Sequence, residues 1–258
     1  MAPVSDNKNY QAPSVFQPRA LLREARRQKG LPDVEVPPVC ILDPDGDIVR
    51  RLRREGRSKP FDAWPCYHTA LDSFELAGET AGIIGCAVGA SFAVLIAEEL
   101  FASGCKLLIS LTSAGQIEVL GKPPYFVVID RALRDEGTSD HYAPPAEFAV
   151  ADAALVNAAS EALTASGLRT FVGASWTTDA PFRETKEAIA WAQSRGAVAV
   201  EMEAAALYTF AAVSKARVLC LAHVTNTMAQ AGQDFEKGAA DGTDDALVVL
   251  GAVAANLR

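Results

Sequence analysis

The sequence predicts an α/β fold, a single three-layer domain with a central, mostly parallel mixed sheet flanked by helices. Three observations carry this. Half of the 258 residues are apolar, enough to bury a large core without disulfides or metals. Several short runs, such as Val39-Cys-Ile-Leu42, Ala81 to Val88 and Val218 to Val224, are apolar throughout; strands buried on both faces read this way, whereas half-exposed strands alternate. Longer helical segments separate these runs, as the layers of an α/β domain require.

Taken in order, residues 1–30 form an N-terminal arm and a short basic helix, Arg19 to Lys29, ended by Gly30 and Pro32. Residues 31–258 form the domain. After the strands at Val39 and Ala81 comes a helix from Ser91 to Ser103, closed by Gly104. Strands follow at Lys106 to Leu111 and Phe126 to Ile129, then a helix from Glu147 to Ala165 and a strand from Thr170 to Ser175. Glu184 to Arg195 is a helix, Ala197 to Glu201 a strand, Ala204 to Lys215 a helix, Val218 to Val224 a strand, and Asp244 to Leu257 the closing helix. There is no internal repeat and no linker.

A net charge of −8 argues against general nucleic-acid or membrane-surface binding. Basic residues crowd the first quarter, including Arg50, Arg51, Arg53, Arg54 and Arg57, a pattern that suits either a solvated helix face or phosphate. The five cysteines show no CxxC pair, which reads as free thiols in a reducing compartment and not as a zinc site or disulfide framework. No apolar run approaches the roughly 20 residues of a membrane span, and the first residues lack a signal peptide's apolar stretch. The expectation is a soluble, cytoplasmic protein with no metal.

In open α/β sheets, ligands bind beyond the carboxyl ends of the strands. Most of the unusual polar residues fall there, at Asp43 to Arg50, Gly85 to Ser91, Ser110 to Gln116, Trp176 to Arg183, Glu201 to Glu203 and Thr225 to Met228. The first carboxylate of Glu201-Met202-Glu203 still belongs to a buried strand, and burying it is costly unless donors or a ligand meet it. An acidic helix N-terminus accounts for Glu203 alone. Asn226 reads either as a ligand for a base edge or as a helix N-cap, and His223 as a core histidine. Gly85 to Ser91 lacks GxGxxG spacing, which counts against a dinucleotide-binding dehydrogenase.

The string Val200-Glu-Met-Glu-Ala-Ala-Ala-Leu-Tyr208 resembles the signature of the purine nucleoside phosphorylase and uridine phosphorylase family (nucleoside phosphorylase-I type). Asp45-Gly-Asp-Ile-Val-Arg50 resembles that family's phosphate loop, Pro-Gly-Asp-Pro-x-Arg, and Trp176 to Arg183 is similar to the loop lining its base pocket. The resemblance implies a phosphorylase/hydrolase-like fold and phosphorolysis of a purine or pyrimidine nucleoside to free base and (deoxy)ribose 1-phosphate. It implies no cofactor, phosphate as co-substrate, nucleoside and inorganic phosphate as partners, and a homo-oligomer, dimer or hexamer. By the same resemblance Glu201, Met202 and Glu203 bind ribose, and Glu203 and Asn226 are catalytic. Gly46, Arg50, Ser113 and His68 bind phosphate, and Phe182, Thr178, Asp179 and Asn226 bind the base.

Two departures stand out. Where the family has a phosphate-gripping Arg after the strand at Lys106, this chain has Ser110, and where purine phosphorylases of the hexameric type have Asp, it has Asn226. Losing the Arg leaves open a nucleosidase that uses water, and a non-catalytic nucleoside-binding protein is the other alternative.

Overall fold

A computed structural model describes residues 8–228 and 235–257; the first seven residues of the expected arm and Arg258 lie outside them. The helix expected at Arg19 is α1 (Pro18–Lys29), opened by Pro18, whose missing N–H costs nothing in a first turn, and closed by Gly30 in the left-handed region. It packs on α3 (Ala90–Ala102).

The apolar runs form the middle of a sheet. β1 (Val39–Asp43) is buried at every position and lies between β4 (Glu79–Gly85) and β5 (Leu107–Gln116), parallel to both. The order across the sheet is β10-β6-β8-β9-β5-β1-β4-β3-β2, with β10 also paired to β5. That extra pairing closes β5, β10 (Val218–Asn226), β6 (Tyr125–Asp135), β8 (Thr170–Thr178) and β9 (Ala197–Glu201) into a ring. Pairing is parallel along β4-β1-β5-β10 and along β6-β8-β9, and antiparallel where the ring closes, at β5–β9 and β10–β6. Helices α2 (Asp47–Arg54), α5 (Ala153–Ser166) and α8 (Thr243–Leu257) cover one side; α1, α3, α4 (Ser139–Tyr142) and α7 (Ala204–Ser214) cover the other. α6 (Lys186–Ser194) packs beside β9.

Three differences from the sequence reading have physical reasons. β5 and β6 run on past their apolar stretches into Thr112-Ser-Ala-Gly-Gln116 and Asp130-Arg-Ala-Leu-Arg-Asp135, because closing the ring gives these polar residues strand partners. The helix expected from Glu147 starts only at Ala153, since Phe148–Val150 pairs with β6 as β7 and Asp152 caps α5 by accepting from the Ala154 N–H at 2.8 Å. The edge strands β2 (Ser58–Pro60) and β3 (Asp72–Leu76) and the short helix α2 were not anticipated; β3 alternates buried and exposed positions, as an edge strand with one wet face does. Asp152→Ala is expected to lower stability by about 1 kcal/mol, the usual worth of an N-cap, without changing activity, and thermal denaturation checks this.

Free thiols are found at all five cysteines, four of them buried; Cys86 is exposed, on the turn after β4. No helix among the described residues is long and apolar enough to cross a membrane.

Candidate active site

β9 ends at Glu201 and α7 begins at Ala204, so the Glu-Met-Glu segment is the junction itself. Both carboxyls are buried, 3% and 1% exposed, but they do different work. Glu201 Oε1 accepts from the hydroxyls of Ser175, at 2.9 Å, and Thr177, both on β8. Its Oε2 accepts from the backbone N–H groups of Glu203 and Ala204, each at 2.7 Å. Both oxygens are thereby committed to protein donors, two apiece, which fills the capacity of a carboxylate. Expected as a ribose ligand, Glu201 is instead the anchor that ties β8, β9 and the first turn of α7 together. Glu203 keeps one oxygen open. Its Oε1 accepts from the Gly89 N–H at 2.7 Å, at the start of α3, while its Oε2 is buried with no hydrogen-bond partner among the described residues. An orphaned buried acceptor is destabilising unless something fills it. Burial, and then the neighbouring Glu201 charge, push the Glu203 carboxyl up to about 8. Burial also raises Glu201, so the pair holds a proton at neutral pH. Met202, between them, borders a cavity of about 880 Å³ shared with Phe16, Leu21, Gly89, Leu95 and Tyr142.

The loop after β1 lies beside this junction. Asp43 Oδ1 accepts from the Gly46 N–H at 3.2 Å and Oδ2 from the Val49 N–H at 2.9 Å, which starts α2; burial lifts its carboxyl to about 7. Gly46 sits at φ 76°, and a Cβ there would fall 2.4 Å from Cys86 Sγ and 2.7 Å from Arg50 Nη1. Its role is therefore steric as well as conformational: the turn after β4 can approach only a residue without a side chain. Arg50 donates to the Asp45 carbonyl at 2.8 Å and to Asp47 at 2.6 Å, and Asp47 also pairs with Lys237. Ser113, on β5, donates its backbone N–H to Asp45 Oδ2 at 3.0 Å. Gly46, Arg50 and Ser113 thus gather around Asp45; the Gly46 and Ser113 N–H groups and Arg50 Nη2 donate to oxygens of the protein, and Arg50 Nη1 to Cys86 Sγ at 3.4 Å. His68 is not among them; it lies exposed in the loop before β3, near Glu99.

At the end of β10, Asn226 pairs with Gly115 of β5. A Cβ at 115 would sit 2.2 Å from Met228 Sδ and 3.4 Å from Asn226 Oδ1, so glycine makes the room. Asn226 Oδ1 accepts from the Met228 N–H at 2.9 Å, a local turn. Thr178 is buried, its hydroxyl accepting from the Ala180 N–H at 3.2 Å, and Asp179 accepts from the Gly137 N–H at 2.9 Å. Asp179 shares the cavity of Met202, whereas Phe182, fully exposed, borders a separate depression with Met228. The four residues expected at the base therefore do not line one cavity.

Several groups were missed. Asp45, Asp43 and Lys237 border a small cavity of about 20 Å³ together with Thr112, Ser113 and His223. His223 stacks on Phe126, ring centroids 4.4 Å apart. Burial holds its ring far below the usual range, at about 4, and its buried Nε2 has no partner among the described residues. A signal for Asp45 was present in the sequence, since it stands where the family loop begins with Pro. Lys237 carried none, lying 190 positions from Asp47.

The model of the Phosphorylase superfamily matches residues 38–255. Among solved structures, uridine phosphorylase from Vibrio fischeri is similar with a TM-score of 0.73 at 22% identity, over 88% of this chain and 94% of that one. Purine nucleoside phosphorylase from Toxoplasma gondii, in complex with immucillin-H, is similar with a TM-score of 0.72 at 18% identity, over 86% and 92%. At these identities the likeness is one of fold. With the family model spanning nearly all of the sheet and both sides of the site, the chain belongs to the phosphorylase superfamily.

Proposed function

We propose that this chain cleaves the N-glycosidic bond of a nucleoside. The single observation that carries the reading is the open oxygen of Glu203, buried, without a hydrogen-bond partner among the described residues and beside Met202. A pentose offers two adjacent hydroxyl donors, and a carboxylate with one oxygen already oriented by Gly89 accepts them without reorganisation. Holding the ring there leaves C1′ free to develop the positive charge of an oxocarbenium-like transition state, which the Glu203 carboxylate, ionised as the sugar binds, tolerates. Asn226 serves the departing base, as donor and acceptor at its edge, with Thr178, Asp179 and Phe182 contributing from the loop after β8. Glu201 acts as a positioning residue. No redox step is involved, so the reading calls for no cofactor.

Membership of the family supports phosphorolysis, with inorganic phosphate entering beside Gly46, Arg50 and Ser113 and a pentose 1-phosphate leaving. Hydrolysis is the second reading, favoured by the occupied donors around Asp45. A panel of purine and pyrimidine nucleosides tests the reaction common to both. Release of free base, followed by the change in ultraviolet absorbance, is expected from at least one of them, and tight binding with no release across the panel would instead indicate a nucleoside-binding protein.

A further inference from the structure

We infer that the cleft between α1 and the end of α3 is a second ligand site, which binds the phosphate monoester of a small hydroxylated molecule. The inference is independent of nucleoside cleavage. Apart from Ala102 and Ser103, every residue lining the cleft precedes residue 38, where the family match begins.

The cleft forms because the chain doubles back. α1 buries Leu22 and Ala25 and packs on α3, and Gly30 turns the chain. The Leu31 N–H then donates to the Arg26 carbonyl at 3.0 Å, and the Val36 N–H to the Ser103 carbonyl at 2.9 Å. Residues 31–36 are thus tied at both ends, and they bound a cleft of about 880 Å³, the size of a small-molecule site. Arg19, Arg23 and Arg26, at i, i+4 and i+7 on one face of α1, line it. Two buried donors on its wall lack acceptors. Ser103 is 4% exposed, yet its Oγ has no hydrogen-bond partner among the described residues, and neither has Arg26 Nε. Asp33 lies 3.3 Å from that Nε, as an ion pair. A buried donor left unmatched is costly, so these two call for oxygen acceptors.

The charges select the ligand. Asp33 and Glu35 also line the cleft. Asp33 neutralises Arg26, and Glu35 folds against Gly104, where a Cβ would fall 2.8 Å from its own Cβ. Arg19 has no ion pair among the described residues, and Arg23 meets Glu24, the next residue, at 3.3 Å. Positive charge is thereby left at Arg19 and Arg23, in the first half of α1, where the helix dipole adds to it. Two guanidinium forks suit the oxygens of a phosphate dianion. The hydroxyl or ring oxygens of its ester body are the acceptors for Ser103 and Arg26, and Leu31 and Val34 cover its apolar edge. A sugar phosphate and a nucleoside monophosphate share this chemistry. An extended polyanion does not fit, since it would run onto Asp33 and Glu35 on a chain of net charge −8.

The test is calorimetric titration of the full chain, and of its Arg50→Ala variant, with ribose 5-phosphate, uridine 5′-monophosphate and inorganic phosphate. Arg50→Ala removes a cation of the candidate active site, so binding that persists in it lies elsewhere. The expected result is binding of at least one monoester to both proteins, about tenfold tighter than inorganic phosphate binds to Arg50→Ala, as one further hydrogen bond from a buried donor provides. Which monoester binds tells the sugar phosphate from the nucleotide. Replacing Arg19 and Arg23 together by alanine should weaken that binding about 10²-fold. Both side chains are exposed, so the thermal transition should stay in place. Ser103→Ala should weaken it about fivefold. Absence of binding by either monoester overturns the inference. So does binding that survives loss of Arg19 and Arg23 but disappears in Arg50→Ala, which would put the ligand in the candidate active site. Inorganic phosphate binding to Arg50→Ala as tightly as the monoesters overturns the assignment of a monoester.

Discussion

Replacing Glu203 by glutamine is expected to cut nucleoside cleavage by about 10²–10³-fold, the range seen when one oriented polar group at a reacting centre is removed, and to make the fold more stable above neutral pH. The two effects share a cause. The Glu203 carboxyl is pushed from an ordinary 4.5 up to about 8, first by burial and then by Glu201. Between those two values the folded chain keeps a proton that the unfolded chain has released. Stability from this group is therefore fully present below about pH 4.5 and is lost as pH rises through 8. Glutamine never ionises, so its advantage over the wild type grows from acid to alkaline pH. Chemical denaturation of both proteins at pH 5.5 and 8.5 measures it: a widening gap is expected, and a gap independent of pH would mean that Glu203 titrates normally. The same shift governs binding. Sugar hydroxyls donate best to the ionised form, so nucleoside binding near neutrality should release a proton, visible by calorimetry in buffers of different ionisation enthalpy.

Removing Glu201 should act on the fold first. Glu201→Ala strands the Ser175 and Thr177 hydroxyls and the backbone N–H groups of Glu203 and Ala204 in a site with no water access. The expected loss is about 3–5 kcal/mol, from unsatisfied buried donors at about 1–3 kcal/mol each, relieved in part by relaxation. For a chain of this size that lowers the midpoint of thermal denaturation by about 10 °C. Glu201→Gln is expected to be much milder in stability, because the amide oxygen still serves the two N–H groups and the hydroxyls can turn to accept from its NH₂. Thermal scans and kcat for both variants check this, and equal losses for Ala and Gln would show that the negative charge, not the bonding, is what the junction requires.

These expectations depend on details that the sequence exposed unevenly. The strands of the sheet centre were legible because burial on both faces leaves an unbroken apolar run, and the Glu-Met-Glu junction was legible because two carboxylates at the end of such a run are costly without a purpose. The division of labour between Glu201 and Glu203 was not, since it turns on which oxygens meet Ser175, Thr177 and Gly89, residues up to 114 positions away. The polar halves of β5 and β6 read as loops for a similar reason: their partners are strands whose positions only ring closure defines. Arg50 and Ser113 both meet Asp45, yet that contact and the engagement of Arg50 by Asp47 depend on backbone geometry that spacing does not encode. His68 had only its position relative to the family pattern in its favour.

Among the described residues β10 is the last strand in sequence, yet it lies between β5 and β6. Until residue 226 has left the ribosome, both of those strands present unpaired backbone on their inner edges, and a chain ending before Val218 would keep them open permanently. Open apolar edges are templates for association between chains. The ring thus ties completion of the candidate site to completion of synthesis, and truncated products of this gene should be recovered as aggregates.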